Sequence, residues 1–221
     1  MALGRPAAII FDLDGTLIDS SQGILEAVNF ALARFGERLR KREELLPFVG
    51  SPLEEMFGAF TRVPVADIRP VFREHGTEII AEKSILLPGA EDTLGAFSAA
   101  GLRLAIGTTK TSSHVSRIVE RFGWKGVFGA VVCGDHAPVK PAPDIFLLAQ
   151  NGLNAASEET LVVGDTVNDV LAARAADLQI ATLESVFGDR SALARTPSDW
   201  HFHSHTTLRE FVLARLNAGV K

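Results

Sequence analysis

The sequence has little cysteine, no long apolar run and no excess of positive charge. Its 221 residues include one cysteine, which excludes an internal disulfide and fits a reducing compartment, so we expect a cytoplasmic protein. No apolar stretch approaches the roughly 18 residues of a membrane span, and the first residues show no signal-peptide pattern, so we expect no membrane partner. The net charge of −5 argues against nucleic-acid binding, which needs a dominant positive field.

The most informative stretch is residues 7–17, AAIIFDLDGTL, where an apolar run breaks into two aspartates and a glycine. The run is short and bounded by turn residues, which favours a strand buried on both faces. Asp12, Asp14, Gly15 and Thr16 then follow its carboxyl end. This is the position at which open α/β sheets hold their ligands, so we expect a functional site there.

Two different patterns follow along the chain. Residues 18–86 show helical periodicity without a strand pattern, with helices expected at about 20–35, 38–46, 53–60 and 66–83. After a helix at 92–100, strand and helix patterns alternate. Strands are expected at 103–106, 127–133, 160–163 and 179–183, and helices at 112–122, 144–151, 170–175 and 207–216, with a polar loop at 164–169. This alternation predicts an α/β fold with a doubly wound parallel sheet.

The distance between the first two strands is too long for a simple strand–helix–strand unit. Asp12 and Thr108 are 96 positions apart, whereas such a unit needs roughly 30 residues. The surplus is the helical stretch, and both of its ends return to the sheet. We therefore predict an α/β core formed by residues 1–17 and 87–221, with residues 18–86 inserted as an all-helical cap.

Polar clusters follow four segments of the predicted core. Because the carboxyl ends of parallel strands meet at one edge of the sheet, we expect these clusters to lie close together. The clusters are Asp12 with Asp14, Thr108 with Thr109 and Lys110, Lys140 alone, and Asp165 with Asp169. Four carboxylates in one pocket repel each other unless a cation is present. Oxygen ligands without matching histidine or cysteine favour Mg²⁺ over zinc or copper. With Mg²⁺ and Lys140 the formal charge falls from −4 to −1, and a phosphoryl group can enter.

The order of the two aspartates suggests a division of labour. An aspartate can attack phosphorus and form an acyl phosphate, and Asp12 is placed for this role. Asp14, two residues later, can protonate the leaving oxygen and then accept a proton from water. Lys140 and Mg²⁺ would offset charge on the phosphoryl group, while the Thr108 hydroxyl orients its oxygens and Gly15 lets backbone amides approach.

Together these motifs resemble the four ordered motifs of the haloacid dehalogenase superfamily, and within it the phosphoglycolate phosphatase-like branch. The motif residues are Asp12-Leu13-Asp14-Gly15-Thr16-Leu17, Thr108, Lys140-Pro141-Ala142-Pro143-Asp144, Gly164-Asp165 and Asp169. The resemblance implies a Rossmann-like core and a cap that closes over the site and supplies much of its selectivity. It also implies Mg²⁺ ligation by the Asp12 carboxylate, the Asp14 backbone carbonyl and Asp165, with Asp169 supporting the metal or its waters.

The resemblance narrows the reaction but leaves the substrate open. Asp14 argues against dehalogenases, which lack this second aspartate, and against phosphonate hydrolases, which usually carry alanine there. We predict hydrolysis of a small phosphorylated metabolite, a phosphoglycolate-like monoester. Thr109 stands where phosphoglycolate phosphatases commonly have asparagine, so a pyrophosphatase stays open, as do a phosphomutase of the same superfamily and, from another class, a phospho-accepting receiver domain. Nothing in the sequence separates a monomer from a homodimer.

Several other residues are weighed as site candidates. The candidate substrate-binding residues are Gly15, Thr16, Thr109, Lys110 and Ser51, the last from a turn that resembles the substrate-contacting cap segment of this branch. The basic run at 38–42 is interpreted as a solvated cap face. His201, His203 and His205 alternate and would share a face on a strand, but a structural or surface role is expected for them. Cys133 is expected to be a packing residue.

Overall fold

The computed structural model describes residues 4–185, 187 and 190–218, which form an α/β core and a group of helices beside it. The strands are β1 Ala8–Phe11, β2 Ile18–Asp19, β3 Ile85–Leu86, β4 Arg103–Gly107, β5 Ala130–Val132, β6 Thr160–Gly164, β7 Gln179–Leu183 and β8 Trp200–Phe202. The helices are α1 Ser21–Arg34, α2 Arg42–Leu45, α3 Leu53–Phe60, α4 Val65–Lys83, α5 Ala90–Ala99, α6 Ser112–Arg121, α7 Asp144–Gly152, α8 Val167–Ala175, α9 Arg190–Arg195 and α10 His205–Ala218. Short 3₁₀ turns lie at Leu46–Phe48 and Ser157–Glu159.

Six of the strands form one parallel sheet in the order β5-β4-β1-β6-β7-β8. Strand β1 lies between β4 and β6, and Ile9 pairs with Leu104 on one side and with Leu161 on the other. All four residues of β1 are buried, as a strand covered by helices on both faces must be. The predicted doubly wound α/β fold is confirmed.

Alternate side chains of β1 enter two separate cores, because successive side chains of a strand point to opposite faces. Ile9 and Phe11 pack in a cluster that includes Phe97 of α5 and residues of α6 and α10. Ala8 and Ile10 belong to a second cluster with residues of α7 and α8. The sheet is therefore held between two helical layers, and the loops at its carboxyl edge remain available for the site.

Helices α1, α2, α3 and α4 of the predicted cap segment, residues 18–86, form a third apolar cluster, to which Phe187 of the core also belongs. Helices α1 and α4 pack closely: a Cβ atom added to Gly23 would lie 2.6 Å from the Ile80 Cα atom. Phe57 of α3 and Phe72 of α4 meet edge to face with ring centroids 5.7 Å apart. The segment thus has an apolar core of its own.

Two short strands at the ends of this segment were not expected from the sequence. Strand β2 pairs antiparallel with β3, Ile18 with Leu86 and Asp19 with Ile85. The pairing continues on the core side, where the Leu87 N–H donates to the Leu17 carbonyl at 3.0 Å. The ribbon therefore holds the two ends of the segment side by side. The boundaries after residues 17 and 86 stay a prediction.

Some predicted elements differ from the observed ones. The strand expected at 127–133 is limited to β5, because Gly126 has a left-handed φ of 81° and the Val127 N–H closes a turn onto the Trp124 carbonyl. The helix expected at 38–46 covers only α2 and the 3₁₀ turn after it. Helix α9 and strand β8 were not predicted. None of the described helices combines the length and apolar character that crossing a membrane requires.

Candidate active site

The carboxyl end of β1 delivers Asp12 and Asp14 into a buried turn. The Asp12 N–H donates to the Val163 carbonyl at 2.8 Å, which extends the β1–β6 pairing as far as this carboxylate. Asp12 is 6% exposed and Asp14 5% exposed. Gly15 follows with a φ of 78°, and a Cβ atom at this position would overlap the Asp165 carboxylate. Both the backbone conformation and the close approach of Asp165 therefore require glycine at this position.

Lys140 binds two of the buried carboxylates. Its Nζ atom lies 2.5 Å from Asp12 Oδ1 and 2.7 Å from Asp169 Oδ1, and the side chain is 3% exposed. The lysine comes from the loop between β5 and α7, far in sequence from both partners. The structure thus brings together three predicted site residues from three separate motifs.

Asp169 lies in the first turn of α8 and not in a loop, so the prediction of a loop at 164–169 is wrong over its second half. Its Oδ2 atom accepts hydrogen bonds from the Thr166 hydroxyl at 2.6 Å and the Thr166 N–H at 3.0 Å, and the Asp169 N–H donates back to Thr166 Oγ1 at 3.4 Å. This capping arrangement starts the helix because it satisfies backbone donors that a helix end leaves unpaired. It fixes one carboxylate oxygen while the other faces Lys140.

Asp165 is fully buried at the end of β6. Its Oδ1 atom accepts a hydrogen bond from the Thr16 hydroxyl at 3.3 Å, and its Oδ2 atom accepts one from the Ser185 hydroxyl at 2.6 Å. Ser185 follows strand β7 and was not among the predicted site residues. Its position after the end of a parallel strand was the one sequence feature that pointed to it.

The donor set fits a small, hard divalent cation. Carboxylate oxygens of Asp12, Asp165 and Asp169 all lie within 4.8 Å of one another, and all three residues are buried. No histidine or cysteine takes part in this group. An all-oxygen set of this kind suits Mg²⁺, so these residues fit the metal that the sequence suggests. The individual ligand assignments, including the Asp14 carbonyl, stay predictions.

The pKa shifts within the cluster also favour a bound cation. Burial raises the pKa of Asp12 to about 7, although Lys140 opposes the shift, and the charges of Asp169 and Asp14 add to it. Burial also raises the pKa of Asp165 well above its ordinary value, with Asp169 and Asp12 contributing. Two carboxylates with raised pKa values mark a place that lacks positive charge, and a divalent cation would supply it.

Asp169 and Lys140 behave as a buried ion pair. Burial acts to raise the pKa of Asp169, but the charge and hydrogen bond of Lys140 and the bonds from Thr166 outweigh it, so the pKa is lowered. For Lys140, burial acts to lower the pKa, and the charges of Asp12 and Asp169 reverse the effect and raise it. The lysine is therefore charged at every pH at which the protein would work.

The Asp14 carboxylate faces away from this cluster and has its own partners. Its Oδ1 atom accepts a hydrogen bond from the Ser20 hydroxyl, and its Oδ2 atom lies 3.0 Å from Lys110 Nζ. Ser20 and Asp19 precede α1, and both have side chains that can cap a helix. The Asp19 carboxylate accepts from the Ser21 N–H at 2.8 Å, whereas the Ser20 side chain makes no cap bond and holds Asp14 instead.

The loop after β4 supplies the predicted threonines. Thr108 is buried, its N–H donates to the Val132 carbonyl at 3.0 Å, and its hydroxyl accepts from the Lys110 N–H at 3.2 Å. The Thr109 hydroxyl donates to the Gly50 carbonyl at 3.2 Å, which joins this loop to the cap segment. The two threonines thus have different surroundings, one in the core and one at its boundary with the cap segment.

A cavity of about 110 Å³ lies between the cap segment and the core. Asp14, Thr109 and Lys110 line its core side, and Ser51 lines it from the cap segment. Of the predicted site residues, these four share the cavity, whereas Asp12, Lys140, Asp165 and Asp169 form the buried cluster behind it. Further lining residues that the sequence analysis did not select are Ile24, Phe48, Met56, Phe72, Arg73, Ile80 and His114.

The rings of His201 and His203 lie 5.5 Å apart, but His205 does not join them. His201 contacts Thr182 Oγ1 through Nδ1 at 3.0 Å, His203 contacts Glu184 Oε2 at 3.0 Å, and His205 begins α10 and donates from Nε2 to the Thr16 carbonyl at 2.7 Å. A common face requires all three to lie on one strand, and β8 ends at residue 202. Among the described residues they form no metal-ligand group.

The single cysteine is buried, as expected for a packing residue. Burial, with a contribution from the charge of Asp135, raises the pKa of the Cys133 thiol to about 12. The thiolate is the reactive form, so this side chain is not a nucleophile near neutral pH.

Comparisons with known proteins agree with this geometry. Residues 9–183 match the sequence profile of the haloacid dehalogenase-like hydrolases. The chain is 35% identical to a phosphoglycolate phosphatase of Agrobacterium fabrum over 174 residues, 75% of each chain. It is 29% identical to a phosphoglycolate phosphatase of Salmonella typhimurium over an alignment of 228 positions, which covers 90% of each chain.

A solved structure extends the agreement to three dimensions. CbbY of Rhodobacter sphaeroides in complex with phosphate superposes with a TM-score of 0.82 at 27% identity, covering 96% of this chain and 99% of its own. A mutant of the same protein was solved with xylulose-(1,5)bisphosphate, and it covers 92% of this chain and 96% of its own at a TM-score of 0.79.

The profile match spans most of the chain and includes the motif positions from Asp12 to Asp169. The predicted resemblance to the phosphoglycolate phosphatase-like branch is confirmed, and with it the enzyme class, a phosphoric monoester hydrolase. The chain belongs to the haloacid dehalogenase-like hydrolase family.

Proposed function

We propose that the protein is a Mg²⁺-dependent phosphatase that hydrolyses a small phosphorylated metabolite through an aspartyl-phosphate at Asp12. The observation that carries the proposal is the buried arrangement of Asp12, Lys140, Asp165 and Asp169 beside Asp14 and a small cavity. Carboxylates with raised pKa values at the end of a central parallel strand are typical of catalytic sites. The cytoplasmic location expected from the sequence stays a prediction.

Asp12, Asp165 and Asp169 would hold the metal, with the Asp14 backbone carbonyl as a further ligand. When bound, Mg²⁺ would neutralise part of the charge on the phosphoryl oxygens and screen it from the carboxylates. Lys140 contributes a second positive charge from the protein itself, fixed between Asp12 and Asp169. The charge of Lys140, together with that of the metal when bound, would let a dianionic phosphate approach a carboxylate that would otherwise repel it.

In the first chemical step an oxygen of Asp12 attacks phosphorus and forms a new P–O bond. The bond between phosphorus and the ester oxygen breaks, and its electron pair goes to the departing alcohol oxygen. Asp14 donates a proton to that oxygen, so the leaving group departs as an alcohol. The Ser20 hydroxyl and Lys110 ammonium contact the two oxygens of Asp14 and hold the carboxyl group toward the cavity.

In the second step a water molecule attacks phosphorus of the aspartyl-phosphate. Asp14 takes the proton from the water, the P–O bond to Asp12 breaks, and inorganic phosphate leaves. Asp14 is protonated again and Asp12 is a free carboxylate again, so the cycle closes without another reactant. One group therefore serves as acid and then as base, and its position beside the cavity suits both tasks.

A phosphoglycolate-like monoester is the substrate class that the relatives support best. Two of them are phosphoglycolate phosphatases, and the Rhodobacter protein binds a sugar bisphosphate. A pyrophosphatase remains an alternative, since Thr109 departs from the pattern of phosphoglycolate phosphatases. A phosphomutase would require a bisphosphate activator and would leave the total organic phosphate unchanged. A receiver domain is disfavoured by Asp14 and by the helical segment between the first two sheet strands.

The proposal is tested by phosphate release from a panel of phosphate compounds with and without Mg²⁺. The panel contains 2-phosphoglycolate, pyrophosphate, sugar phosphates and nucleoside monophosphates. We expect release that requires Mg²⁺ and is abolished by chelation. Asp12→Asn should lower release at least about a thousandfold, because the substituted amide is a poor nucleophile.

The matched control is Asp177→Asn, an exposed aspartate with a left-handed φ of 55° that asparagine tolerates equally well. This variant should retain full activity. In the presence of Mg²⁺, both variants should unfold at a urea concentration equal to or higher than that of the wild-type protein. Substantial turnover by Asp12→Asn would refute the nucleophile assignment, and a stable phosphorylated protein without turnover would favour the receiver domain.

A further inference from the structure

The cavity between the cap segment and the core contains a positive charge without a partner. Asp14, Lys110 and Arg73 are the charged residues that line it, and Asp14 is already paired with Lys110 at 3.0 Å. Arg73 extends from α4 on the cap side. Among residues 4–185, 187 and 190–218, its guanidinium group makes no hydrogen bond or ion pair. The cavity therefore has a net positive charge when it is empty.

His114 provides a second group without a partner in the same wall. The residue lies in the first turn of the core helix α6 and is 6% exposed. Its Nδ1 atom lies 2.8 Å from Thr111 Oγ1, but its Nε2 atom is buried and has no hydrogen-bond partner among the described residues. A buried polar atom without a partner is unusual in a folded protein, and here a ligand would supply the missing bond.

The charge state of His114 defines what that ligand must offer. Burial lowers the pKa of His114 to about 4, and the positive charges of Lys110 and Arg73 add to the effect. The ring is therefore neutral near pH 7 and carries one N–H. When the Thr111 hydroxyl donates to Nδ1, the proton lies on Nε2, and this atom is a donor that needs an acceptor oxygen.

The cavity size limits the ligand further. Its volume of about 110 Å³ is small beside the roughly 300–1,000 Å³ of common ligand pockets. Phe48, Met56 and Phe72 form apolar walls around this space. A two-carbon hydroxy acid or an orthophosphate is compact enough for such a space, whereas a sugar or a nucleoside is larger.

We propose that this cavity selects a compact leaving group that carries a negative charge, with Arg73 as its counter-ion and His114 Nε2 as its hydrogen-bond donor. The inference rests on the proposed function and specifies its substrate class. Two chemistries share these properties: a short alcohol with a carboxylate, and the orthophosphate that departs from pyrophosphate. A leaving group without charged oxygens would leave the buried His114 Nε2 atom unpaired, which is the situation in which a polar site discriminates strongly, and it would not engage the charge of the exposed Arg73.

The test compares kcat/KM for 2-phosphoglycolate, pyrophosphate and propyl phosphate, the last having a neutral leaving group of similar length. We expect the wild-type protein to prefer one of the two anionic compounds over propyl phosphate by at least about thirtyfold. The preferred anionic compound identifies which of the two chemistries the cavity receives. We expect Arg73→Gln to reduce this preference by about tenfold, mainly through KM.

Two further variants separate recognition from folding. His114→Leu should reduce the preference about fivefold, and His114→Gln, which retains an N–H donor, should restore most of it. Arg69→Gln is the matched control, because Arg69 lies one turn earlier on α4, pairs with Glu54 and does not line the cavity. It should leave the preference unchanged.

The outcomes distinguish this inference from the function on which it rests. No phosphate release from any of the three compounds by the wild-type protein would refute the proposed function. Release with no preference for anionic leaving groups would refute only the assignment of the cavity. The assignment would also be overturned if Arg73→Gln lowered turnover of all three compounds equally, because that pattern indicates a structural role.

Discussion

The two sides of the active site differ in how completely their polar groups are paired. On the metal side, Asp12, Asp165 and Asp169 are buried, and each accepts at least one hydrogen bond from a fixed protein donor. On the cavity side, the Arg73 guanidinium and the His114 Nε2 atom have no partner among the described residues. The first side is fixed by its own contacts, as the proposed chemical step requires, whereas we expect the second to be completed by a bound ligand.

Under the proposed function, the metal side determines catalysis and the cavity side determines selectivity. The metal side uses residues at strand ends and in a first helical turn, whose positions follow from the fold. The cavity side uses α4 and α6, which face each other from the cap segment and the core. We therefore expect changes in cap residues to alter the substrate without disturbing the proposed phosphoryl-transfer groups. The following predictions test this separation.

The largest effect on stability is expected from Lys140→Met, which removes the only protein cation in contact with both Asp12 and Asp169 among the described residues. Two buried carboxylates then lack their counter-ion, so we expect the free energy of unfolding without Mg²⁺ to fall by about 3 kcal/mol. Urea unfolding in the presence of a chelator measures the change.

Two further variants control for this result. Lys125→Met removes an exposed lysine and should change the free energy of unfolding by less than about 0.5 kcal/mol. The double variant Lys140→Met with Asp169→Asn should recover part of the loss, because one of the unpaired charges is gone. Equal effects of Lys140→Met and Lys125→Met would show that the metal side is not held by internal charge pairing.

An intermediate effect is expected on the cavity side, where His114 is kept neutral. Its pKa of about 4 in the folded protein is below the ordinary value of 6.5, so the unfolded chain binds a proton first as the pH falls. The stability from the neutral ring is complete above pH 6.5 and is lost as the pH falls toward 4. Between pH 7 and pH 5 this group alone should reduce the free energy of unfolding by about 2 kcal/mol.

His114→Gln removes the titrating group while keeping a polar side chain. Between pH 7 and pH 5, the free energy of unfolding of this variant should therefore fall by about 2 kcal/mol less than that of the wild-type protein. Urea unfolding at several pH values gives both curves. The charged groups that face the ring, Lys110, Arg73 and Asp135, are the same in both proteins. Parallel curves would contradict a neutral His114.

The smallest effect is expected from Ser185→Ala, which removes one hydrogen bond from the metal side. The Ser185 hydroxyl donates to Asp165 Oδ2 at 2.6 Å and accepts from the Phe187 N–H at 2.9 Å. Without it Asp165 is less firmly oriented, so the Mg²⁺ concentration for half-maximal activity should rise about tenfold. Ser116→Ala, an exposed serine on α6, is the control and should leave it unchanged. No change in Ser185→Ala would place Asp165 outside the metal site.

The sequence predicted the fold and the placement of the metal side for a physical reason. Asp12, Lys140 and Asp165 belong to ordered motifs, and parallel strands bring their carboxyl ends to one edge. The apolar runs at β1, β4 and β6 are continuous because both faces of the sheet are covered, and this made them easy to recognise. The assigned chemical roles stay predictions until they are measured.

Other features depend on contacts between distant segments and could not be predicted. Ser20 has the sequence character of a helix cap, but its hydroxyl binds Asp14 because the β2–β3 pairing brings the two together. Ser185 had no motif beyond its place after β7. His205 follows the alternation of His201 and His203, yet it opens α10 and binds the Thr16 carbonyl. In each case the partner is set by tertiary packing, not by sequence spacing.

The β2–β3 ribbon ties the two connections of the cap segment to each other. Both connections to the core pass through the ribbon, and its pairing holds them side by side. The backbone of Asp14 bridges to Ile18 at the base of the ribbon, and the Asp14 carboxylate is held by Ser20 just beyond it. We therefore expect a change in the ribbon to disturb both the cap segment and Asp14, the residue for which we propose the proton transfer.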